Sequence, residues 1–294
     1  MNRNLSYQIT PDDAGLSIEK FLSSHGYSSK LLSHLRSYPT GIFLNGSQAY
    51  TTRILADGDF LAISIHEFPS SEKLIASNLP LSVIYEDDDI AIINKPYLMP
   101  VHPSLGNYTN TLANACAWHY RNESTPFIFR AVNRLDRDTT GIVVIAKNPL
   151  SAAVLYPQAA SKMIRRTYLA AATGEVPESG TIDAPIARVD GSTIERCVDF
   201  SRGERAVTHY KRLCYENGLS LVELQLETGR THQIRVHMKH IGHPLSGDFL
   251  YHPDTSRISR QALHSWKLEL THPVSGEKLS FTAPVPDDIR QLFS

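Results

Sequence analysis

Residues 133–147 read Asn-Arg-Leu-Asp-Arg-Asp-Thr-Thr-Gly-Ile-Val-Val-Ile-Ala-Lys. A polar loop carrying Arg134 and Asp136 runs through Thr139-Thr140-Gly141 into Ile142–Ala146, a short β-branched run that predicts a buried strand. A carboxylate at the mouth of such a strand is held by a rigid element and faces outward, the arrangement required of a nucleophile or a base. The alternative is a turn in which Asp136 and Asp138 bond their own backbone. Two acids on one loop cannot sit on opposite sides of a bond, as a hydrolytic pair must, so Asp138 is read as loop-stabilising.

The second chemical stretch is Thr228-Gly-Arg-Thr-His-Gln-Ile-Arg-Val-His-Met-Lys-His-Ile-Gly242. A glycine turn leads from a strand into a helix, with Thr231 the expected N-cap and Gly242 at the left-handed C-terminal position. Ile234, Met238 and Ile241 recur at i, i+4 and i+7 and predict the buried face, leaving Arg235 and Lys239 on an adjacent polar one. Arg230, His232 and Arg235 gather near the helix start, where anions are favoured. An ordinary amphipathic helix with solvated bases fits the same spacing. His232, His237, His240 and His243 suggest a metal, but Gly242 interrupts the set and no nearby carboxylate completes it, so none is expected.

These residues need a scaffold. The 294-residue chain is 41% apolar and 20% charged with a formal net charge of -1, so any polyanion site must arise from local clustering. Cys116, Cys197 and Cys214 are widely spaced, which predicts reduced thiols. No apolar signal core or membrane-length run is present, so a soluble cytoplasmic protein is expected. Helices are predicted from Asp12 to Ser24 and Ser29 to Leu35, then strands at 41–46 and 58–65 with an Asn45-Gly46 turn. A polar segment with Pro69 and a Ser pair follows, giving a small domain at 1–66, a linker at 67–80 and a large domain at 81–294. In the latter, 81–85 and 90–95 are strands about Glu86-Asp-Asp-Asp89, a run expected to be a solvated turn. Thr111 caps a helix, Pro157 should break the one begun at Pro149, and strands follow at 165–174, 206–215, 219–227, 262–270 and 278–283. The class is α+β with a mostly antiparallel mixed sheet.

Arg134-Leu-Asp-Arg-Asp-Thr-Thr-Gly141 and Thr228-Gly-Arg-Thr-His-Gln-Ile-Arg-Val-His237 together resemble the paired signatures of RluA-type RNA pseudouridine synthases. Asn94-Lys-Pro96, His102-Pro103, Arg166-Thr-Tyr168, Ala184-Pro-Ile186 and Gly242-His-Pro-Leu-Ser-Gly-Asp248 fall in family order. Asn133 stands where members commonly carry His, and Arg166 where Lys is usual. Residues 12–66 resemble the αL-type RNA-binding module, though acidic residues balance its bases and a packing role remains open. The resemblance implies a pseudouridine synthase fold and isomerisation of uridine in RNA, without cofactor or metal. It implies Asp136 as the essential aspartate, Tyr168 against the uracil ring and Arg235 paired with Asp136. Arg134 enters the place of the flipped base, and Asn133, Thr140, Arg230 and His232 join the substrate site. The expected partner is large-subunit rRNA, with tRNA or a catalytically inactive RNA-binding role as alternatives, and the protein is expected to be a monomer.

Overall fold

A computed structural model describes residues 1–68, 74–123 and 127–294; the centre of the expected linker, with Pro69 and the Ser pair, lies outside the described residues. Among the described residues no helix is long and apolar enough to cross a membrane.

The chain begins with β1 (Arg3–Gln8), followed by α1 (Ile18–Ser24), α2 (Ser29–Arg36), β2 (Ile42–Leu44), β3 (Ser47–Gln48) and β4 (Phe60–Ile65). The sheet order is β1-β4-β2-β3. Both helices start where a serine hydroxyl accepts a backbone N–H, Ser17 from Lys20 and Ser28 from Leu31. Phe21, Leu22, Leu31 and Leu35 pack on Leu61, Ile63 and Ile65 to form one core. Asn45 and Gly46 both take positive φ and close the predicted hairpin. Strand β1 has no strong sequence signal, since only Leu5 and Tyr7 alternate on its apolar face; pairing along all of β4 is what makes it a strand.

The remaining strands are β5 (Ser82–Glu86), β6 (Ile90–Lys95), β7 (Thr140–Ala146), β8 (Arg165–Thr173), β9 (Ser179–Asp183), β10 (Ile186–Arg188), β11 (Arg196–Val198), β12 (Val207–Glu216), β13 (Leu219–Leu226), β14 (Leu263–Thr271) and β15 (Lys278–Thr282). Helices α3 (Leu112–His119), α4 (Pro149–Ala160), α5 (Gln233–His240) and α6 (Asp287–Arg290) lie between or after them. Nine strands form one mixed sheet, β5-β6-β7-β14-β8-β13-β12-β9 with β15 on β14, so the architecture is α+β. Among the described residues its one parallel pairing joins β7 to β14. There Gly141, at φ +107°, is required: a Cβ would lie 2.1 Å from the Ser265 carbonyl oxygen. Every residue of β7 is buried, as its composition predicts.

Two expectations fail for tertiary reasons. The acidic turn is only partly solvated. Asp89 is buried and accepts bonds from the Arg3 guanidinium (3.0 and 2.9 Å), Asn148 and Ser151, while Glu86 accepts from Lys147 and Tyr120. Only Asp88 of the three aspartates lacks such cover, and it too meets Arg3. The turn thus anchors β1 to the large sheet, and Leu150 of α4 joins the core of the first sheet. Second, Pro157 does not break α4. It lies in the last turn, where one lost backbone bond matters least, and its carbonyl accepts from Ser161 N and Oγ, both at 2.8 Å.

Candidate active site

The loop before β7 is fixed from several sides. The Asn133 amide donates to Ile142 O (3.0 Å) and accepts from Val144 N (2.8 Å), stitching the loop to the strand that follows it. Asp138 is gripped by the Arg137 guanidinium at 3.0 and 2.8 Å. Thr140 Oγ1 is 2.8 Å from His264 Nδ1. Below the loop, the buried Lys95 ammonium donates to the carbonyls of Pro96, Met99 and Arg137 at 2.8, 2.8 and 3.0 Å. The Asp136 side chain is left 30% exposed at the foot of a cleft.

Arg235 meets it there. It lies on α5, 99 positions away in sequence, and its side chain is only 2% exposed. Nε and Nη2 form a fork on Asp248 at 2.7 Å each, and Nη1 reaches Asp136 Oδ2 at 3.1 Å. Asp248 is itself held by the backbone N–H groups of Leu250 and Tyr251. Burial works against the guanidinium charge, but the bonds and charges of Asp248 and Asp136 outweigh it and raise the Arg235 pKa above its ordinary value. Of the two residues predicted on the adjacent, partly polar face, Lys239 is exposed but Arg235 is buried, because it carries an ion pair rather than a solvated charge.

The start of α5 also departs from expectation. His232, at φ 58°, is the N-cap, and Thr231 is not. No side chain caps the helix; Gln233 instead braces the loop before it, its Oε1 accepting from Arg230 N (3.0 Å) and Thr228 Oγ1 (2.7 Å). This left-handed residue swings the His232 ring beside Asp136, with Nε2 3.8 Å from Oδ2 and Nδ1 2.9 Å from the Tyr251 hydroxyl. Burial lowers the His232 pKa against the opposing pull of Asp136, which favours the neutral ring.

The cleft measures about 1360 Å³. Arg134, Lys162, Arg165, Arg166 and Arg230 line it, so positive charge gathers locally on a chain of net charge -1. Arg134 is exposed at this wall, and Arg230 pairs with Glu204 and donates to Arg205 O. Tyr168 follows the cleft-lining Thr167 on β8 but is buried, in the apolar cluster that also takes Leu135, Ile234 and Leu263.

The structure thus gathers Asp136, Arg235 and His232 into one group, with Arg134 and Arg230 along the cleft and Tyr168 beneath the loop. The polar atoms of Asn133 and Thr140 are spent on the protein's own strands. Sequence reasoning assigned no role to Asp248 or Lys95. The only signals were their places in Gly242–Asp248 and Asn94-Lys-Pro96, and a lysine closing an apolar strand. Of the histidines considered for a metal, His237 bonds Thr208 and Ala184 O in the core and His243 bonds Thr173 O. Asp87, Asp89 and His272 do converge, but Asp89 is taken by Arg3 and Asn148, and His272 Nε2 lies 3.1 Å from Asp87 Oδ2.

A fixed carboxylate, backed by a buried arginine and opening on a basic cleft, is an arrangement suited to an enzyme acting on a polyanionic substrate. A family model described as RNA pseudouridylate synthase matches residues 89–240. The uncharacterized RNA pseudouridine synthase YjbO of Bacillus subtilis is 38% identical over 279 residues, covering 94% of this chain and 98% of that protein. Ribosomal large subunit pseudouridine synthase D of Neisseria meningitidis is 39% identical over 267 residues, covering 86% and 71%. The solved structure of human RNA Pseudouridylate Synthase Domain Containing 1 superposes with a TM-score of 0.59 at 26% identity, covering 70% of this chain and 83% of that one. The chain belongs to the RNA pseudouridylate synthase family, as an RluA/RluD-like member.

Proposed function

We propose that the protein isomerises uridine to pseudouridine in structured ribosomal RNA, with Asp136 as the reacting carboxylate. The observation that carries this reading is the Asp248–Arg235–Asp136 chain at the foot of the basic cleft. In the reaction the N1 glycosidic bond breaks, the uracil turns, and C5 bonds to C1′ of the same ribose. C5 loses a proton and N1 gains one, so the process is redox-neutral and consumes no water. Uridine in a stem must first leave the stack, at a cost of roughly a few kcal/mol.

Each residue has a task in this scheme. Arg165, Arg166 and Lys162 take backbone phosphates along the cleft. Arg134, exposed beside the loop, enters the space left by the extruded base. Arg235 stays fixed on Asp248 and orients Asp136 toward the sugar and base. His232, bonded to Tyr251, closes the other side of the carboxylate. Tyr168, packed near Leu135, takes the face of the uracil and aids removal of the C5 proton. Asn133 and Thr140 act by holding the loop on β7. The large-subunit rRNA target rests on the kinship with proteins named ribosomal large subunit pseudouridine synthase D. Residues 1–66, with their own sheet and a core that Leu150 of α4 completes, serve as a docked αL-type unit beside a catalytic domain at 81–294.

Site-resolved pseudouridine mapping of total RNA from cells with and without the gene tests the reading. One or a few rRNA uridines should lose the modification with the gene. Loss in tRNA alone would redirect the target, and no loss in either RNA would overturn the function.

A further inference from the structure

The turn after β6 breaks two ordinary rules for an exposed turn. Leu98 has φ 60°, a left-handed conformation that glycine or asparagine adopts far more cheaply than leucine. Its side chain is nevertheless 56% exposed, and that of Tyr97 45%. The turn is also stiff. Lys95 bonds the carbonyls of Pro96 and Met99 on either side of the tip, and Met99 N donates to Arg137 O (3.2 Å) of the catalytic loop. The Tyr97 ring lies 5.8 Å from the Arg260 guanidinium, which in turn donates to Asp138 O. A third exposed apolar group, Phe249, is 50% exposed with its ring 5.6 Å from the guanidinium of Arg235. Tyr97 is thereby linked through Arg260, and Leu98 through the backbone of its neighbour Met99, to the loop that carries Asp136, while Phe249 lies against the arginine that pairs with Asp136. Downstream, the same segment supplies Val101–Ser104 to the cleft wall.

We propose that Tyr97, Leu98 and Phe249 form an apolar rim that receives the faces of nucleobases flanking the extruded uridine. Strain retained at an exposed, rigid position marks a site whose return comes from a partner. Here the partner is the substrate RNA, because Met99 and Arg260 tie this turn to the catalytic loop and the chain runs on from it into the cleft wall at Val101–Ser104. Aromatic faces stack on any base, and an inserted aliphatic side chain can replace a stacked neighbour. The rim would thus lower the cost of extrusion and sense the bases on either side of the target. This rests on the proposed reading of the cleft as the RNA site.

The test uses the full-length protein and unmodified rRNA and tRNA transcribed in vitro. Tyr97→Ala and Phe249→Ala should each weaken the RNA interaction roughly tenfold, the scale of a lost base–aromatic stack, mainly in KM. Leu98→Asn should raise KM while keeping or increasing the urea midpoint, because asparagine tolerates the left-handed turn; a purely structural leucine would lose stability instead. In Tyr97→Trp the added fluorescence should be quenched by RNA. Unchanged KM in Tyr97→Ala, Phe249→Ala and Leu98→Asn of an active enzyme, a lowered midpoint for Leu98→Asn, or variants that lose only self-association would each overturn the rim. A wild type that converts no uridine in either RNA would sink the functional reading itself.

Discussion

Asp248→Asn is the most informative single change to the site. The carboxylate is fully buried and accepts four bonds: Arg235 Nε and Nη2 at 2.7 Å each, and the backbone N–H groups of Leu250 and Tyr251 at 3.1 Å. Asparagine keeps the shape and removes the charge. Arg235 then remains buried with Asp136 as its one carboxylate, and that group is 30% exposed. Removing one partner of a buried pair costs on the order of 3–5 kcal/mol, because the surviving charge is left uncompensated. Against a total stability of roughly 5–15 kcal/mol the variant should fold, with a clearly lower urea midpoint. Arg235→Met should cost a similar amount by stranding Asp248. The double variant strands neither charge in the same way, so its cost should fall short of the sum by about 1–3 kcal/mol. In single-turnover assays Asp248→Asn should lower the rate of the chemical step and leave RNA affinity nearly unchanged, since it touches no cleft cation. Singles that add, or an Asp248→Asn cost under about 1 kcal/mol, would refute Asp248 as the anchor of Arg235.

Two further changes follow from the loop's supports. Burial drives the Lys95 pKa down to about 7, with Asp138 and Asp136 opposing and Arg260 assisting. The unfolded chain holds this proton up to the ordinary lysine range, so it binds more protons than the native state above about 7, and this contribution makes stability rise with pH there. Below about 7 both states are protonated and the penalty is complete. Urea midpoints at pH 7 and pH 9 should therefore climb more for wild type than for Lys95→Met, and equal slopes would contradict this. Gly141→Ala places a Cβ 2.1 Å from Ser265 O at φ +107° and should cost roughly 2–5 kcal/mol from overpacking and left-handed strain; a wild-type Tm would refute the close approach of β7 and β14.

What the sequence revealed depended on how local the cause was. The β-branched run after Gly141, the Asn45-Gly46 hairpin and the Thr111 cap are settled within a few residues, and all three are present. The partnership of Asp136 with Arg235 spans 99 positions and was legible only through the paired motifs, not through periodicity. Periodicity in fact put Arg235 on a polar face, because a buried ion pair has the spacing of a solvated one. The acidic turn misled for the same reason: its solvent is replaced by Arg3, which comes from a strand with almost no apolar signal. His232 was expected near the substrate, but its left-handed backbone, which turns the ring toward Asp136, has no marker in the residue type.

The central claim is that Asp136 performs the chemistry while the cleft performs the binding. Incubating wild type and Asp136→Asn with unmodified rRNA and tRNA, and measuring pseudouridine and RNA affinity in the same samples, separates the two. The account predicts site-specific conversion by wild type, and for Asp136→Asn comparable affinity with every uridine left unchanged. Conversion by Asp136→Asn at a rate near wild type would contradict it.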